Sequence, residues 1–225
     1  MRALPLSALS SGLLWSLVLV PLGGCSGAAS RELPADPAPE EPTRAPDALR
    51  PVAAFAGIPD AEARSIALFT EAGRVITHPR CTNCHPADGV PRQHLSQRPH
   101  LPAVVGGETG QGPPGLPCAA CHPAANTPVV GGTVRSVPGN PKWALAPAEM
   151  AWVGRPLGAI CAQLKDPARN GGKSLAEIQH HMAEDALVAW GWAPGEGRQP
   201  VPPSQKVFGE LIQAWIDTGA HCPAP

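Results

Sequence analysis

The chain has no tyrosine and only 3 phenylalanines in 225 residues, against 6 tryptophans. Aromatic side chains contribute much of the buried area in ordinary cores, so a large core made of side chains alone is not supported here. Either part of the chain stays unfolded, or something other than side chains fills its centre. Long apolar runs are also missing. The best one, Leu13–Leu22, has about half of the roughly 20 residues that a spanning helix needs. There is no surplus of charge either: the net charge is −1, and residues 52–225 carry acidic and basic side chains in equal number. That balance gives no support for a nucleic-acid partner. No strand pattern is longer than VVGG at 129–132, so the expected class is all-α, with few or no strands.

Proline and glycine are abundant, with Pro 30 and Gly 24. Six of the prolines fall in 26–51, alternating with alanine and charges and without apolar periodicity, which reads as a disordered tether over 25–58. Before it, Arg2, the apolar run and Leu22-Gly23-Gly24-Cys25 read as an export signal over 1–24 with a lipobox-like end. Cys25 is then the expected lipidation site, which holds the chain on the periplasmic face of a bacterial membrane. A single body is expected over 59–225.

Export places the seven cysteines in an oxidising compartment, where an odd count calls for an explanation. Four of them form two C-x-x-C pairs, each followed by histidine: Cys81-Thr82-Asn83-Cys84-His85 and Cys118-Ala119-Ala120-Cys121-His122. With Cys25 lipidated and both pairs committed to one kind of cofactor, Cys161 and Cys222 remain, and they are expected to form a disulfide.

C-x-x-C-H is the attachment signature of c-type haem. On a helical turn, residues i, i+3 and i+4 share a face. Cys81, Cys84 and His85 can therefore address one flat macrocycle, with two thioethers and a proximal iron ligand. Cys118, Cys121 and His122 repeat the set for a second haem. A Cys₄ zinc site would use the same thiols, but 33 residues (85–117) separate the pairs, where zinc ribbons use about 15–20. Zinc also gives no role to the repeated histidine. A catalytic dithiol would want a βαβ context, and none is visible. The short interval means that two covalently bound haems c share one body and supply the apolar bulk that the composition lacks. Trp143, Trp152, Trp190, Trp192 and Trp215 are expected to pack around them or in the helical half.

Helices are expected over Asp60–His78, Pro147–Val153 and Pro156–Lys165, from the Ser174/Glu177 capping box to about Ala189, and from Pro203-Ser204 through Asp217. Residues 86–117, with seven prolines and six glycines, are irregular. For the second iron ligands the candidates outside the motifs are His78, His94, His100, His180, His181, His221, Met150 and Met182. His100, in the loop between the motifs, and His78, placed to reach the neighbouring haem, are favoured. Met150 and His181 are the alternatives.

The stretches HPRCTNCHP, RPHLP, PCAACH, LAPAEMAW, ICAQLKDPARNGGKSL, HMAEDALVAWGW and AWIDTGAHCP, together about His78 to Pro223, resemble a family of bacterial dihaem c-type cytochromes. Its members are often labelled as the cytochrome subunit of isoquinoline 1-oxidoreductase-type molybdenum hydroxylases. The resemblance implies an electron-transfer subunit without a substrate site of its own, fed by a periplasmic redox enzyme such as a molybdenum hydroxylase and emptied by a respiratory acceptor. Related sequences often have WHLAP where this chain has Trp143-Ala144-Leu145-Ala146-Pro147, so a ligand histidine at that place is not general. The rival expectation is a dihaem peroxidase or a haem-based ligand sensor, either of which needs one open iron position.

Overall fold

A computed structural model describes residues 47–131 and 135–225. The expected export signal, the expected lipidation site Cys25 and the expected tether as far as residue 46 lie outside the described residues. The fold is mainly helical. The first long helix, α1 (Ala61–Ile76), starts where the Asp60 carboxylate accepts the Ala63 N–H at 2.7 Å. A single turn follows, α2 (Pro79–Thr82), with proline at its first position and His78 as its N-cap. Two antiparallel two-residue pairs come next. β1 (Arg92–Gln93) pairs with β2 (Arg98–Pro99), and β3 (Thr127–Pro128) with β4 (Ser136–Val137). The second half holds α3 (Leu157–Lys165), α4 (Leu175–Glu184), α5 (Ala186–Ala189) and α6 (Gln205–Asp217).

The capping box forms: the Ser174 hydroxyl accepts from the Glu177 N–H, and the Glu177 carboxylate accepts from the Ser174 N–H. The helix it opens is shorter than expected. Asp185 is extended, and its side chain accepts from Leu187 N at 2.7 Å to cap α5 instead. An aspartate offering its carboxylate to nearby N–H groups competes with helix continuation. The expected helix over 147–153 is only a 3-10 turn, Ala148–Met150, followed by extended Ala151. The backbone there is bound to the first C-x-x-C-H motif, described below.

The core lies among α1, α3, α4 and α6. Phe69 of α1 and Trp215 of α6 meet at 4.7 Å between ring centres, both fully buried. The Trp215 indole N–H donates to the His221 carbonyl at 2.9 Å, so this large side chain is buried without a lost hydrogen bond. Gly209 lets α6 approach α4, since a Cβ there would stand 2.5 Å from that of Ala183. Cys161 of α3 and Cys222 of the C-terminal segment are disulfide-bonded.

Part of the stretch expected as tether, residues 47–58, is packed on the body. Leu49 and Phe55 are buried in the same core, and Leu49 N donates to Pro203 O at 2.9 Å. Arg50 reaches Glu71 through its backbone N–H and its Nε, at 3.1 and 2.9 Å, and its guanidinium stands 4.4 Å over the Phe55 ring. Two apolar anchors six residues apart are too sparse to read as a period, but they suffice to dock a strap on α1.

Candidate functional site

The first C-x-x-C-H motif is wound into one helical turn that continues from α2. Cys84 N donates to Cys81 O at 3.2 Å and His85 N to Thr82 O at 2.9 Å. His85 is held on two sides. Its Nδ1 lies 2.8 Å from the Met150 carbonyl oxygen, and its ring stacks on Trp152 at 3.6 Å and 3°. The Trp152 backbone N–H in turn donates to His85 O at 2.8 Å. A carbonyl only accepts, so Nδ1 carries the proton and Nε2 keeps its lone pair. Burial, with the nearby charge of His181 behind it, pushes the His85 pKa down to about 4, although the Met150 bond works against this. The ring is therefore neutral, the form that binds metal.

The second motif repeats the arrangement from different elements. A 3-10 turn, Cys118–Ala120, is fastened by Cys118 N to Gln111 O at 2.7 Å, and His122 N donates to Cys118 O at 2.9 Å. The His122 Nδ1 lies 2.8 Å from the Pro138 carbonyl, and its ring stacks on Trp143 at 4.7 Å and 17°. Trp143 meets Trp190 edge to face, and the Trp190 N–H is held by Asn126 Oδ1 at 2.9 Å. Burial lowers the His122 pKa against the Pro138 bond, and the charges of His100 and Arg198 add to the lowering.

Residues 143–153 brace both motifs. Trp143 covers His122, Leu145 N bonds Gly110 O, Ala146 N bonds Cys84 O, and Met150 and Trp152 hold His85. The sequence carried a signal for this in two tryptophans nine residues apart after the second motif. The two carbonyl clamps, Met150 and Pro138, carry no side-chain signal at all.

A cavity of about 520 Å³ adjoins the second motif, with Cys84 of the first and Cys118, Cys121 and His122 of the second in its wall. Its size falls within the range of about 300–1,000 Å³ typical of small-molecule and cofactor sites. Leu101, Val105, Leu116 and Val129 are four of the five exposed large hydrophobic residues among those described, and all four line it. His100 lines it too. Its Nδ1 lies 2.9 Å from the Pro102 carbonyl, and its ring centre is 5.9 Å from that of His122, inclined at 60°. A carbonyl only accepts, so the His100 Nδ1 carries a proton.

No family model, no curated protein and no solved structure matches this chain.

The other ligand candidates are placed differently. The His78 Nδ1 accepts the Arg80 N–H at 3.1 Å as the N-cap of α2. Its neutral ring therefore carries the proton on Nε2, the opposite of the ligating tautomer, and it is not in the cavity lining. His78, expected as a crossing ligand for the neighbouring haem, is held here at the N-terminus of α2. Met150 is tied by its own carbonyl to His85 Nδ1, which keeps its backbone on the side of the histidine away from Nε2. His181 on α4 is half-exposed, with Nδ1 3.7 Å from Asp185 Oδ2, and its charge reaches His85. His94 lines the cavity, but its Nε2 is taken by the Arg98 guanidinium at 2.7 Å.

The four motif cysteines are free thiols. Burial pushes Cys81 up to about 12, with the charge of Cys84 behind it. Burial and the charge of Cys118 push Cys84 up to about 11. A redox dithiol works through a depressed thiol, the opposite of what is found. Among the described residues no three His, Cys, Asp or Glu side chains are gathered as a small-ion cage. A porphyrin iron, already held by four ring nitrogens, needs only two protein ligands.

The residues fit a haem on a further count. The Trp152 indole N–H is buried, 6 % exposed, and has no hydrogen-bond partner. Buried orphan donors are rare and costly, and this one lies on the tryptophan stacked against His85. Asn83, between the cysteines of the first motif, likewise has an unpartnered buried Oδ1.

Proposed function

We propose that this chain is a dihaem c-type cytochrome, an electron carrier with two covalently bound haems and no substrate site of its own. One observation carries the reading. At both C-x-x-C-H motifs the histidine Nδ1 is tied to a backbone carbonyl at 2.8 Å and the ring is covered by a tryptophan, leaving a neutral Nε2 with its lone pair. Unrelated local structures, a turn continuing from α2 and a 3-10 turn, arrive at the same presentation. Outer bonds of this kind fix the tautomer and orientation of a metal-binding histidine.

In this reading Cys81 and Cys84 hold one haem and Cys118 and Cys121 the other, with His85 and His122 as the first iron ligands. When bound, each haem supplies a reversible one-electron iron couple. The chain's own part is to hold the rings in register, cover the imidazole faces and exclude water with the apolar wall of Leu101, Val105, Leu116 and Leu145. His100 is the second ligand at the second motif. His122 and His100, whose ring centres are 5.9 Å apart, would together hold the iron of that haem. Cys84 and Cys118 share a cavity wall, which favours rapid exchange between the centres. The irregular proline- and glycine-rich loops serve as haem housing. The export signal and Cys25 anchor the carrier at the periplasmic face of a membrane. The family resemblance supplies the partners: a periplasmic redox enzyme, with a molybdenum hydroxylase as the named case, and a respiratory acceptor.

The test is the mass of the mature protein made in a host that attaches c-type haem, with haem counted after acid-acetone extraction. Two haems retained per chain are expected, falling to one in Cys81→Ala and in Cys118→Ala. Complete extraction from the wild type overturns the proposal.

A further inference from the structure

Gln163 of α3 is only 1 % exposed. Its amide nitrogen donates to the Ala151 carbonyl at 3.1 Å, while its Oε1 has no hydrogen-bond partner. Leaving a buried acceptor unsatisfied is costly, and methionine would fill a similar volume without that cost. The amide is kept for what it does at Ala151. The helix that carries it is fastened on both sides of Gln163. Cys161 is disulfide-bonded to Cys222, the Leu164 carbonyl accepts from Asn170 Nδ2 at 2.8 Å, and Lys165 Nζ donates to Ala220 O at 2.7 Å. Gln163 thus reaches out from a fixed post.

Ala151 is the middle residue of the segment that holds His85. The carbonyl before it, Met150 O, meets His85 Nδ1 at 2.8 Å, and the backbone N–H after it, that of Trp152, donates to His85 O at 2.8 Å. Trp152 also lays its ring on the imidazole at 3.6 Å. The Ala151 carbonyl and the Trp152 N–H belong to one trans peptide group, in which they point in opposite directions. This peptide is a strut, with Gln163 at one end and His85 at the other. Hydrogen bonds joined in a chain polarise one another, so the bond from Gln163 strengthens the one to His85. Ala151 is extended and 3 % exposed. Its carbonyl lies past the 3-10 turn and outside the strand pairs, so a side chain takes the place of a ladder partner.

We propose that Gln163 is a positioning residue for the first haem: by pinning Ala151 it keeps the Met150 carbonyl on His85 Nδ1, and so sets the potential of the iron that His85 ligates. The inference rests on the haem reading above and goes beyond it, since α3 carries neither a motif residue nor a ligand candidate. A hydrogen bond at the outer nitrogen of a ligating histidine raises its basicity, and a more basic ligand favours ferric iron. Outer hydrogen bonds are one of the means by which a protein sets a haem potential. With Gln163 removed the segment draws back, the Nδ1 bond lengthens and the potential rises. The second haem is the internal control. Its histidine is set by the Pro138 carbonyl and covered by Trp143, both outside the strut.

The experiment uses the mature holoprotein and the variants Gln163→Met, Gln163→Asn and Leu164→Ala. Methionine fills the volume without a donor, and asparagine is one methylene too short for the bond. Leu164, 1 % exposed on the same helix, has no polar group in its side chain and controls for general loosening. Haem per chain is counted first, by mass. Wild type without two haems overturns the parent reading and this inference with it; with two haems present, the variants bear on Gln163 alone. Each potential is followed by redox titration, the first haem being identified in Cys118→Ala, and exchange of the His85 Nδ1 proton is followed by NMR in the reduced protein. Both Gln163 variants should show a higher potential at the first haem, an unchanged one at the second, and faster exchange of that proton. Leu164→Ala should lower the urea midpoint yet leave both potentials in place. If Gln163→Met fails to fold or loses a haem, Gln163→Asn decides. Wild type gives a check that needs no variant: its Gln163 side-chain amide protons should exchange slowly, and rapid exchange overturns the strut. A first-haem potential that matches wild type or falls in a two-haem Gln163 variant overturns the inference. So does a shift at both haems, or an equal shift in Leu164→Ala.

Discussion

His100→Ala tests the second ligand directly, because it removes one imidazole and little else. His100 lies in a loop, its backbone N–H on the Pro91 carbonyl and its ring on the Pro102 carbonyl and in contact with His122. Surface substitutions of this kind change stability by about 0.5 kcal/mol or less, so folding and the covalent attachment at Cys118 and Cys121 should survive. The consequence at the iron is all or none. In the proposed reading His100 and His122, with ring centres 5.9 Å apart, both hold the iron of the second haem. Without His100 the second position opens. The assay is carbon monoxide binding to the reduced protein, read as a Soret shift and calibrated against total haem, together with the ferric electron-spin spectrum. Wild type should bind no carbon monoxide and show only low-spin iron. His100→Ala should bind it at one haem of the two and show a high-spin signal of matching size. The reasoning is refuted if the variant stays low-spin at both irons and excludes carbon monoxide. Binding at one haem in wild type would instead favour the rival class, a peroxidase or ligand sensor with an open iron.

The Cys161–Cys222 disulfide closes a loop with a sequence separation of 61. In the chain-entropy account its removal in the double serine variant costs about 4 kcal/mol, and an unchanged denaturation midpoint would contradict that. Burial alone would push the Glu71 carboxyl up, but the Arg50 N–H and the Arg74 and Arg50 guanidinium groups together hold it below its ordinary value. A lowered folded pKa gives stability that is complete above the unfolded value of about 4.3 and is lost as pH falls through the folded one. Glu71→Gln should flatten that part of the acid-unfolding curve and speed hydrogen exchange in residues 47–55; an unaltered curve and unaltered exchange would remove Glu71 as the fastening. Gly209→Ala should gain up to about 1 kcal/mol of helix propensity yet lose about 1–3 kcal/mol to overpacking, because its Cβ would stand 2.5 Å from that of Ala183 and 3.1 Å from its Cα. Net destabilisation relieved by Ala183→Gly is expected in urea melts, and a stabilised single variant would show that α4 and α6 part freely.

The helical half was legible because its signals are local. Asp60, Ser174 and Ser204 cap α1, α4 and α6 with their own side chains, and a cap needs only residues within one turn. Where a competing local signal existed it was missed: Asp185 caps a new turn and ends α4 five residues before the expected stop near Ala189. The strap at 47–55 was missed for a different reason. Leu49 and Phe55 are too few to form a period, and what docks them is Glu71 and Pro203, far along the chain.

The sequence by itself set the side chains of the candidate site, since three residues of one helical turn are enough to set two thiols and an imidazole on one face. It also determined the short list of possible second ligands. Only the tertiary structure showed how each of those side chains is held. His100 and His78 are equal as letters; they differ in which nitrogen is committed, to the Pro102 carbonyl in one and to the Arg80 N–H in the other. That choice depends on backbone groups, which every residue has and no sequence pattern marks. The same holds for the Met150 and Pro138 carbonyls that set His85 and His122.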